Sequence, residues 1–386
     1  MTAPARQMSP EPAAEALAAE PAGTIWSILT SLTSGGAEML VAGLNRQFVK
    51  NGWKHHVVVL CDAAELGNSS ETEGWLKDRI ERDGGKVSSL RLGRSRNPFS
   101  GGAALNRLLK GAGSPDVVHS HTARAIPMLA LSRYRGPICM THHNSRLSFP
   151  KRLFPLLDAV VDEYVAISPE TAEIYAEASR RPVTAIANGP DDDFLASEPR
   201  QQMHSPARVI SVGAISDQKN YDLLIEIARH LEDAGAVRFS IAGGGAQLDH
   251  FRQKSTGLPI EFMGERKDVP MLLDEADIFL NTSHFEGQSV AILEALSKAL
   301  PVIATDVPGN RDLVRNNENG FLCAIDEPRA LASAIERLIA DPAEYRDISA
   351  GALASGQRFS IAETAQKHIA LYARLIASKA GTTLKG

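Results

Sequence analysis

The sequence predicts an α/β protein built from two doubly wound domains that face each other across a cleft. Short apolar runs alternate with helix-like segments, and this alternation restarts near residue 207 after a polar, Pro-containing stretch. Repeated βα units of this kind form parallel sheets with helices on both faces. The 386 residues, with 44 % hydrophobic content, suffice for two ordinary cores. Because such folds bind ligands at the carboxyl ends of their strands, we expect one cleft to serve both domains.

The same patterns divide the chain into five segments. Residues 1–23 are rich in Ala, Pro and Glu and lack an apolar run, so we predict a disordered tail rather than a secretory signal. We then predict an N-terminal domain over residues 24–190, a linker over 191–206, a C-terminal domain over 207–358 and a terminal helical segment over 359–386.

The predicted strands are short apolar runs that end in polar or Gly-containing loops. In the first domain they span residues 24–29, 56–61, 117–119, 138–141, 164–167 and 183–187. In the second domain they span residues 209–213, 238–242, 260–263, 277–280, 302–304 and 321–324. The spacing of apolar residues predicts helices over residues 36–50, 221–233, 289–299, 328–340 and 361–377.

Composition and charge argue against several classes of protein. The formal net charge of −5 argues against a nucleic-acid partner. No apolar stretch approaches the roughly 18 residues of a membrane-spanning helix. The three cysteines, Cys61, Cys139 and Cys323, lie in or beside apolar runs and lack metal-ligand spacing. They are typical of small buried side chains in a reducing compartment, so we expect a cytoplasmic protein.

The most informative local pattern is a pair of carboxylates around the predicted start of a helix. Glu286 and Glu294 are separated by seven residues, and a Gly-containing turn and Ser289, a suitable N-cap, lie between them. The first turn of a helix leaves unpaired N–H groups and a positive dipole end, which together favour an anion. The pattern therefore suits a ligand that carries both hydroxyls and phosphates. The alternative is a capped core helix with solvated acids.

Two patterns in the first domain also indicate a ligand site. The stretch SGGAE follows the first strand and opens a helix, so Gly35 and Gly36 allow a phosphate to approach the backbone closely. A tight turn without a ligand is the alternative. His119 and His121 lie on one face at the end of another strand, and His142 follows the next strand. No acidic or cysteine partner has metal-ligand spacing there, so we predict no metal site.

The carboxylate segment resembles the family 4 retaining glycosyltransferases, enzymes of the GT-B fold that use nucleotide-sugar donors. Their signature is an E-x7-E pair followed by a Pro-Val-Ile-Ala strand and a Gly-containing loop, here Glu286, Glu294, residues 301–304 and residues 306–309. The resemblance extends over most of the chain. The further motifs that carry it are SGGAE at 34–38, DVVHSH at 116–121, THHNSR at 141–146, NGPD at 188–191, SVGAISDQKN at 211–220, GGGA at 243–246 and FMGERKDVP at 262–270.

This resemblance implies two Rossmann-like domains, with a nucleoside diphosphate sugar on the second domain and an acceptor on the first. It implies as well that the terminal helix within residues 359–386 crosses back to the N-terminal domain. It implies that Glu294 holds the ribose hydroxyls and that Glu286 faces the donor sugar and the positive charge that develops at its anomeric carbon. It also implies that His121 lines the sugar pocket. Lys219 and the backbone N–H groups after Gly287 are expected to stabilise the departing diphosphate.

Further site residues and substrates follow from the same resemblance. The remaining donor-binding residues that it implies are Gly35, Gly36, Gly213, Gly287, Gln288, Ser289, Val290 and Arg266. On the acceptor side it implies Glu38 and His142. It implies no bound metal and no cofactor other than the donor substrate. The expected reaction is same-face transfer of a hexosyl unit to a glycan or lipid-linked acceptor, in surface polysaccharide or glycoconjugate synthesis.

One departure from the family pattern bears directly on activity. The family has an Arg directly after the glycine at Gly213, whereas this chain has Ala214, which cannot make bidentate contact with phosphate. Arg266 and Lys267 are candidates to replace that contact from another loop. Ala214 leaves open a non-catalytic, glycosyltransferase-like ligand-binding subunit. A GT-B nucleotide-sugar epimerase or a phosphorylase also remains open, although no cofactor lysine for a phosphorylase is recognisable.

Two charged clusters allow further interpretations. Residues 191–193 (DDD) offer an Asp-x-Asp pair for Mg²⁺, but their place at the domain junction favours solvated linker charge. Basic residues cluster in first-domain loops within residues 91–96, 133–135 and 146–152. Such a patch can dock on anionic lipid at about 1 kcal/mol per charge, which would place the protein at the inner face of the cell membrane. Solvated loops are the alternative.

Overall fold

The computed structural model describes residues 23–231 and 235–383, which form two parallel β-sheets. The strands of the first sheet are β1 (Thr24–Leu29), β2 (Lys54–Val59), β3 (Lys86–Ser89), β4 (Val117–Ser120), β5 (Ile138–Thr141), β6 (Glu163–Ala166) and β7 (Val183–Ala185), in the order β3-β2-β1-β4-β5-β6-β7. The strands of the second sheet are β8 (Ala207–Val212), β9 (Val237–Ala242), β10 (Ile260–Gly264), β11 (Ile278–Asn281), β12 (Val302–Thr305) and β13 (Gly320–Cys323), in the order β10-β9-β8-β11-β12-β13. The strand order reverses between β1 and β4 and between β8 and β11, where doubly wound folds bind ligands.

Helices cover both faces of each sheet. The first domain contains α1 (Gly36–Lys50), α2 (Ser70–Arg82), α3 (Pro98–Ala112), α4 (Ile126–Ala130), α5 (Phe154–Asp158) and α6 (Pro169–Ala178). The second contains α7 (Tyr221–His230), α8 (Leu248–Lys254), α9 (Val269–Glu275), α10 (Val290–Ser297), α11 (Pro308–Arg311), α12 (Pro328–Ala340) and α13 (Pro342–Gly356). The last helix is α14 (Ile361–Thr383).

The predicted fold class, two Rossmann-like α/β domains with parallel sheets, is confirmed. The prediction omits β3, because Lys86–Ser89 reads KVSS and has a single strongly apolar residue at the edge of its sheet. Strand β2 begins at Lys54 rather than at residue 56, since Lys54 pairs with Thr24 of β1. Helix α7 ends at His230, and the predicted helical residues up to Asp233 lie partly outside the described residues. The predicted tail also lies outside them, except for Gly23.

The terminal helix α14 packs on the first domain, although it follows the second domain in sequence. Its apolar side chains, including Leu371 and Tyr372, join a buried cluster with Leu44 and Phe48 of α1. Arg374 also contacts the buried Glu163 of β6 at 2.7 and 2.9 Å. The helix thereby closes one face of the first sheet.

The junction between the domains contains a buried carboxylate. Asp191 is 9 % exposed and accepts hydrogen bonds from Arg79 of α2 and, at 3.1 Å, from Arg46 of α1. The interpretation of this residue as solvated linker charge is therefore wrong. Its place beside two first-domain arginines explains the difference, because the sequence pattern carries no information on which helices pack against the junction.

Candidate functional site

A cavity of about 580 Å³ lies between the two domains, at the carboxyl ends of their strands. Residues from both domains line it. Among the predicted site residues, the cavity is lined by Gly35, Gly36, Glu38, His121, His142, Gly213, Lys219, Arg266, Glu286, Gln288, Ser289, Val290 and Glu294. Only Gly287 is absent from this wall. The sequence-derived site residues thus converge on one space, although they come from distant parts of the chain.

Glu286 forms an oriented ion pair with Lys219 on the second-domain wall. Lys219 Nζ lies 2.6 Å from Glu286 Oε1, which also accepts a hydrogen bond from Ser283 Oγ at 2.7 Å. Glu286 is 6 % exposed. Lys219 ends a short 3₁₀ turn that stops at Asn220, whose φ of 50° is left-handed and redirects the chain into α7. A lysine ammonium and a carboxylate are therefore fixed side by side at the cavity.

Glu294 lies one turn inside α10 and points a carboxyl group at the cavity. It is 8 % exposed, and its side chain has no hydrogen-bond partner among the described residues. Burial, with Asp191 as the next cause, raises its pKa from the ordinary value of 4.5 to about 8, against the opposing charges of Arg79 and Lys219. A buried polar group without a partner is costly. A ligand that offers hydroxyls would satisfy it.

The start of α10 forms the floor between these two carboxylates. Ser289 caps the helix by accepting from Ile292 N at 3.4 Å, as the sequence predicts. Gln288 Oε1 accepts from Asn188 N at 2.6 Å and so fixes the loop before the helix against the domain junction. Val290, the first helical residue, packs close to Gly36 of the first domain, since a Cβ on Gly36 would lie 3.4 Å from its side chain. Helix N–H groups thereby face an opening that both domains border.

Two positions on the second-domain wall, Gly213 and Gly243, require glycine because neighbouring backbone and side-chain atoms approach them closely. A Cβ on Gly243 would lie only 1.8 Å from the carbonyl oxygen of Gly213. Gly213 itself has a φ of 154°, and a Cβ there would lie 2.7 Å from Cε of Lys219. Side chains at these two positions would displace the lysine and separate the two loops.

His121 presents an unsatisfied nitrogen from the first-domain side. Its Nδ1 lies 2.9 Å from Nε2 of His143, while its own Nε2 is buried and has no partner among the described residues. The ring also packs on His119 at a centroid distance of 4.1 Å. Burial lowers the pKa of His121 well below its ordinary value and that of His143 to about 3. Both rings are therefore neutral at physiological pH.

The acceptor-side residues Glu38 and His142 also line the cavity from the first domain. Burial raises the pKa of Glu38 from 4.5 to about 7. His142 donates from Nε2 to the carbonyl oxygen of Arg146 at 2.9 Å, and burial lowers its pKa. The Glu38 carboxyl group, whose pKa is close to 7, and the imidazole of His142, whose orientation is fixed by this hydrogen bond, can thus both contact a second ligand.

Gly287 lies between the domains rather than on the cavity wall. A Cβ there would lie 2.8 Å from the carbonyl oxygen of His143. Nearby, the Arg146 guanidinium lies over the Phe285 ring at 4.1 Å, and Asn144 donates to Gln218 Oε1 at 3.4 Å. Gly287 is therefore required for the close approach of two loops, and its predicted role concerns the backbone that follows it.

The position after Gly213 offers no positive charge. Ala214 is exposed on the cavity wall. Arg266 binds Asp268 at 2.8 Å through Nε, and Lys267 binds Glu71 of the first domain at 2.6 Å. Both side chains are thus engaged elsewhere, so in this structure neither takes the place of the expected Arg. Lys219 is the cation that meets Glu286.

Several cavity residues have no counterpart in the sequence prediction. Glu265 accepts hydrogen bonds from Ser34 at 3.2 Å and from Thr72, which lies on α2. Trp75, one turn further along α2, also lines the cavity. The position of His143 could have been inferred, because it and His121 follow neighbouring strands. Nothing in the sequence indicates that α2 reaches the second domain.

Neither a metal cluster nor a spanning helix is found in the part of the chain that the structure describes. Across residues 23–231 and 235–383, no group of three His, Cys, Asp or Glu side chains could hold a metal ion. No helix within the same residues is sufficiently long and apolar to cross a bilayer.

Two families account for most of the chain. Residues 34–194 match Glycosyltransferase Family 4, and residues 206–341 match Glycosyl transferases group 1. Over 237 residues the chain is 27 % identical to the lipopolysaccharide core biosynthesis glycosyltransferase LpsE of Rhizobium meliloti, covering 59 % of this chain and 66 % of that protein. Over 138 residues it is 30 % identical to the UDP-Gal:alpha-D-GlcNAc-diphosphoundecaprenol alpha-1,3-galactosyltransferase of Escherichia coli, covering 34 % of this chain and 36 % of that protein. The chain thus spans less than two thirds of either relative.

Solved structures share the whole fold. Anabaena Alr3699/HepE in complex with UDP and glucose superimposes with a TM-score of 0.74 at 20 % identity, covering 91 % of this chain and all of that one. The pneumococcal O-GlcNAc transferase GtfA in complex with UDP and GlcNAc gives 0.73 at 14 % identity, covering 92 % of this chain and all of that one. At these identities the likeness concerns the fold alone.

Proposed function

The chain belongs to the family 4 glycosyltransferases, and we propose that it transfers a hexosyl unit from a nucleoside diphosphate sugar to an acceptor. The observation that carries this proposal is the convergence of the Lys219–Glu286 pair, the unpartnered Glu294 and the α10 N-terminus on one cavity. Together they offer sites for ribose hydroxyls, a diphosphate and a sugar. The acceptor in this proposal is a glycan or lipid-linked sugar of surface polysaccharide or glycoconjugate synthesis.

Glu294 binds the ribose. Its carboxylate accepts hydrogen bonds from the two vicinal hydroxyls, which satisfies a group that is buried and unpartnered without ligand. Two hydroxyl donors favour the ionised form of Glu294 and so lower its raised pKa when the donor binds. Each hydrogen bond to the resulting carboxylate contributes about 1.5–3 kcal/mol. A deoxyribose donor, which lacks one hydroxyl, would therefore bind more weakly.

The diphosphate binds between Lys219 and the first turn of α10. Lys219 contributes a compact point charge, and the helix contributes N–H groups and its dipole. These groups stabilise the negative charge that grows on the leaving diphosphate when the bond to the anomeric carbon breaks. Because they supply positive charge where other transferases use a metal ion, we propose that the reaction is metal-independent.

Glu286 and His121 hold the donor sugar. The Glu286 carboxylate faces the anomeric carbon, where positive charge develops, and the free Nε2 of His121 makes a hydrogen bond to a sugar hydroxyl. The acceptor oxygen attacks from the face that the diphosphate leaves, and its proton passes to the leaving diphosphate oxygen. Glu38 and His142 contact the acceptor. The configuration at the anomeric carbon is thereby retained.

We place the protein in the cytoplasm, in peripheral contact with the inner face of the cell membrane. Lys151 and Arg152 lie just before α5, whose Leu156 is 69 % exposed. Basic side chains next to an exposed apolar residue favour an anionic lipid surface. Sedimentation with anionic vesicles, compared between wild type and Lys151→Glu/Arg152→Glu, tests this placement, and equal sedimentation would contradict it.

Donor binding tests the proposed function. UDP-, GDP- and ADP-sugars are titrated by calorimetry into wild type, Glu294→Ala and the control Glu336→Ala on the exposed side of α12. One donor should bind to wild type and the control, and its affinity should fall at least tenfold in Glu294→Ala. Equal affinity in all three proteins, or no binding of any donor, would contradict the proposal.

Ala214 supports a second candidate, a ligand-binding subunit without catalytic activity. Ala214 is exposed to the cavity and carries no charge, so a bound diphosphate would have one cationic contact fewer than in the family pattern. This candidate predicts donor binding without turnover, even with a preparation of acceptor glycolipids.

A further inference from the structure

The face of α2 that points to the second domain borders one end of the cavity. Thr72, Trp75 and Arg79 are spaced three and four residues apart and so share this face. Thr72 donates to Glu265 of the second domain, and Arg79 pairs with Asp191 at the domain junction. Seven residues of helix separate these two contacts, a rise of about 10 Å. Trp75 lies between them.

The opposite wall at this end runs from Glu265 to Glu294. A small side cavity is bordered by Arg79, Asp191 and Glu294 together, so the end of α2 lies next to the Glu294 carboxyl group. Glu265 lies at the other end of the wall, next to Gly244. Helix α2 therefore runs alongside the second-domain wall that carries Glu294. Trp75 lies on the side of α2 that faces this wall.

Trp75 is a large aromatic side chain that remains partly open in this polar cavity. One part of the indole packs against the apolar cluster that includes Leu32 and Leu76, and another part lines the cavity. The Arg79 guanidinium lies 5.7 Å from the centre of the Trp75 ring. Aromatic rings and guanidinium planes are the groups on which nucleic-acid bases stack.

We propose that Trp75 is the first-domain contact of the donor's nucleoside, so that the base binds between α2 and the Glu265 loop. The inference rests on the proposed function, because Glu294 must first hold the ribose. The sugar and the diphosphate occupy the end with Lys219, Glu286 and His121. The base is attached to the ribose on the side away from the phosphates, so it extends into the end that Trp75 lines. Donor binding thereby joins the two domains.

Tryptophan fluorescence tests this contact directly. The chain has three tryptophans. Trp26 is buried in the first-domain core, and Trp53 contacts Tyr372 of α14, so neither lines the cavity. UDP, GDP and ADP are titrated while emission and binding heat are recorded on the same protein. The nucleotide that binds should quench emission with a midpoint equal to the calorimetric Kd.

Two variants of Trp75 distinguish its contribution to the fluorescence quench from the contributions of Trp26 and Trp53. Trp75→Phe should bind the nucleotide without the quench, and Trp75→Ala should bind it roughly tenfold more weakly. The control Trp53→Phe should keep both the quench and the affinity. Calorimetric binding without a quench in wild type, or a quench that persists in Trp75→Phe, would overturn the inference and leave the proposed function standing. If none of the three nucleotides binds, both the inference about Trp75 and the proposed function are overturned.

Discussion

Replacing the ribose carboxylate should stabilise the unliganded protein while weakening donor binding. In Glu294→Gln the amide keeps the shape of the carboxyl group and cannot ionise. The pKa of Glu294 is raised from 4.5 to about 8 in the folded protein, so folding favours the protonated form. The resulting stability is present below pH 4.5 and is lost as the pH rises towards 8. At pH 7 the loss spans 7 − 4.5 = 2.5 pH units, which is about 3 kcal/mol at 1.36 kcal/mol per unit.

The assay is urea unfolding of wild type, Glu294→Gln and the exposed control Glu336→Gln at several pH values without donor. The stability advantage of Glu294→Gln should be close to zero at pH 4.5, grow to about 3 kcal/mol at pH 7 and level off above pH 8. Its donor affinity should fall tenfold to a hundredfold, since the Gln amide has one acceptor oxygen and, unlike Glu294, cannot ionise when the ribose hydroxyls bind. An advantage that does not change with pH, or a variant less stable than wild type at pH 7, would refute the reasoning.

Three further variants test the other groups at the cavity. Ala214→Arg should tighten donor binding about tenfold through bidentate phosphate contact, and an unchanged Kd would show that the position does not reach the diphosphate. Lys219→Met should lower kcat about a hundredfold through loss of leaving-group stabilisation, whereas a change in KM alone would contradict that role. His143→Phe should lower kcat several-fold without changing the nucleotide Kd, because only the orientation of His121 is lost. A matching loss of nucleotide affinity would instead indicate a general structural defect.

The parts of the fold that local patterns encode could be predicted from the sequence. Strand β1 and helices α1 and α12 have the predicted bounds, because apolar runs and helical spacing depend only on neighbouring residues. The α10 N-terminus was predicted for the same reason, since Ser289 caps the helix that follows it. Strand β3 and several helices, including α2, α3 and α13, are not among the predicted elements. The KVSS sequence of β3 pairs with β2 through backbone hydrogen bonds, which any side chains permit.

Contacts between distant segments account for what the sequence did not reveal. Thr72 and Glu265 are 193 residues apart, and Arg79 and Asp191 are 112 residues apart. Such pairs depend on how the two domains pack against each other, and the local periodicity of the sequence contains no information about that packing. The burial of Asp191 has the same origin. The predicted site residues other than Gly287 nevertheless line one cavity, because they end strands or begin helices at the edges that face the cleft.

Turnover of the donor tests the central claim most directly. The donor found by calorimetry is incubated with wild type and Glu286→Ala, and the anomeric configuration of the sugar first released is followed by time-resolved NMR. The account predicts slow release of nucleoside diphosphate and of a sugar with the donor's configuration by wild type, and none by Glu286→Ala. Release of the opposite anomer would contradict the retaining mechanism. Binding without any turnover, with or without a glycolipid acceptor, would contradict a transferase and favour the non-catalytic subunit.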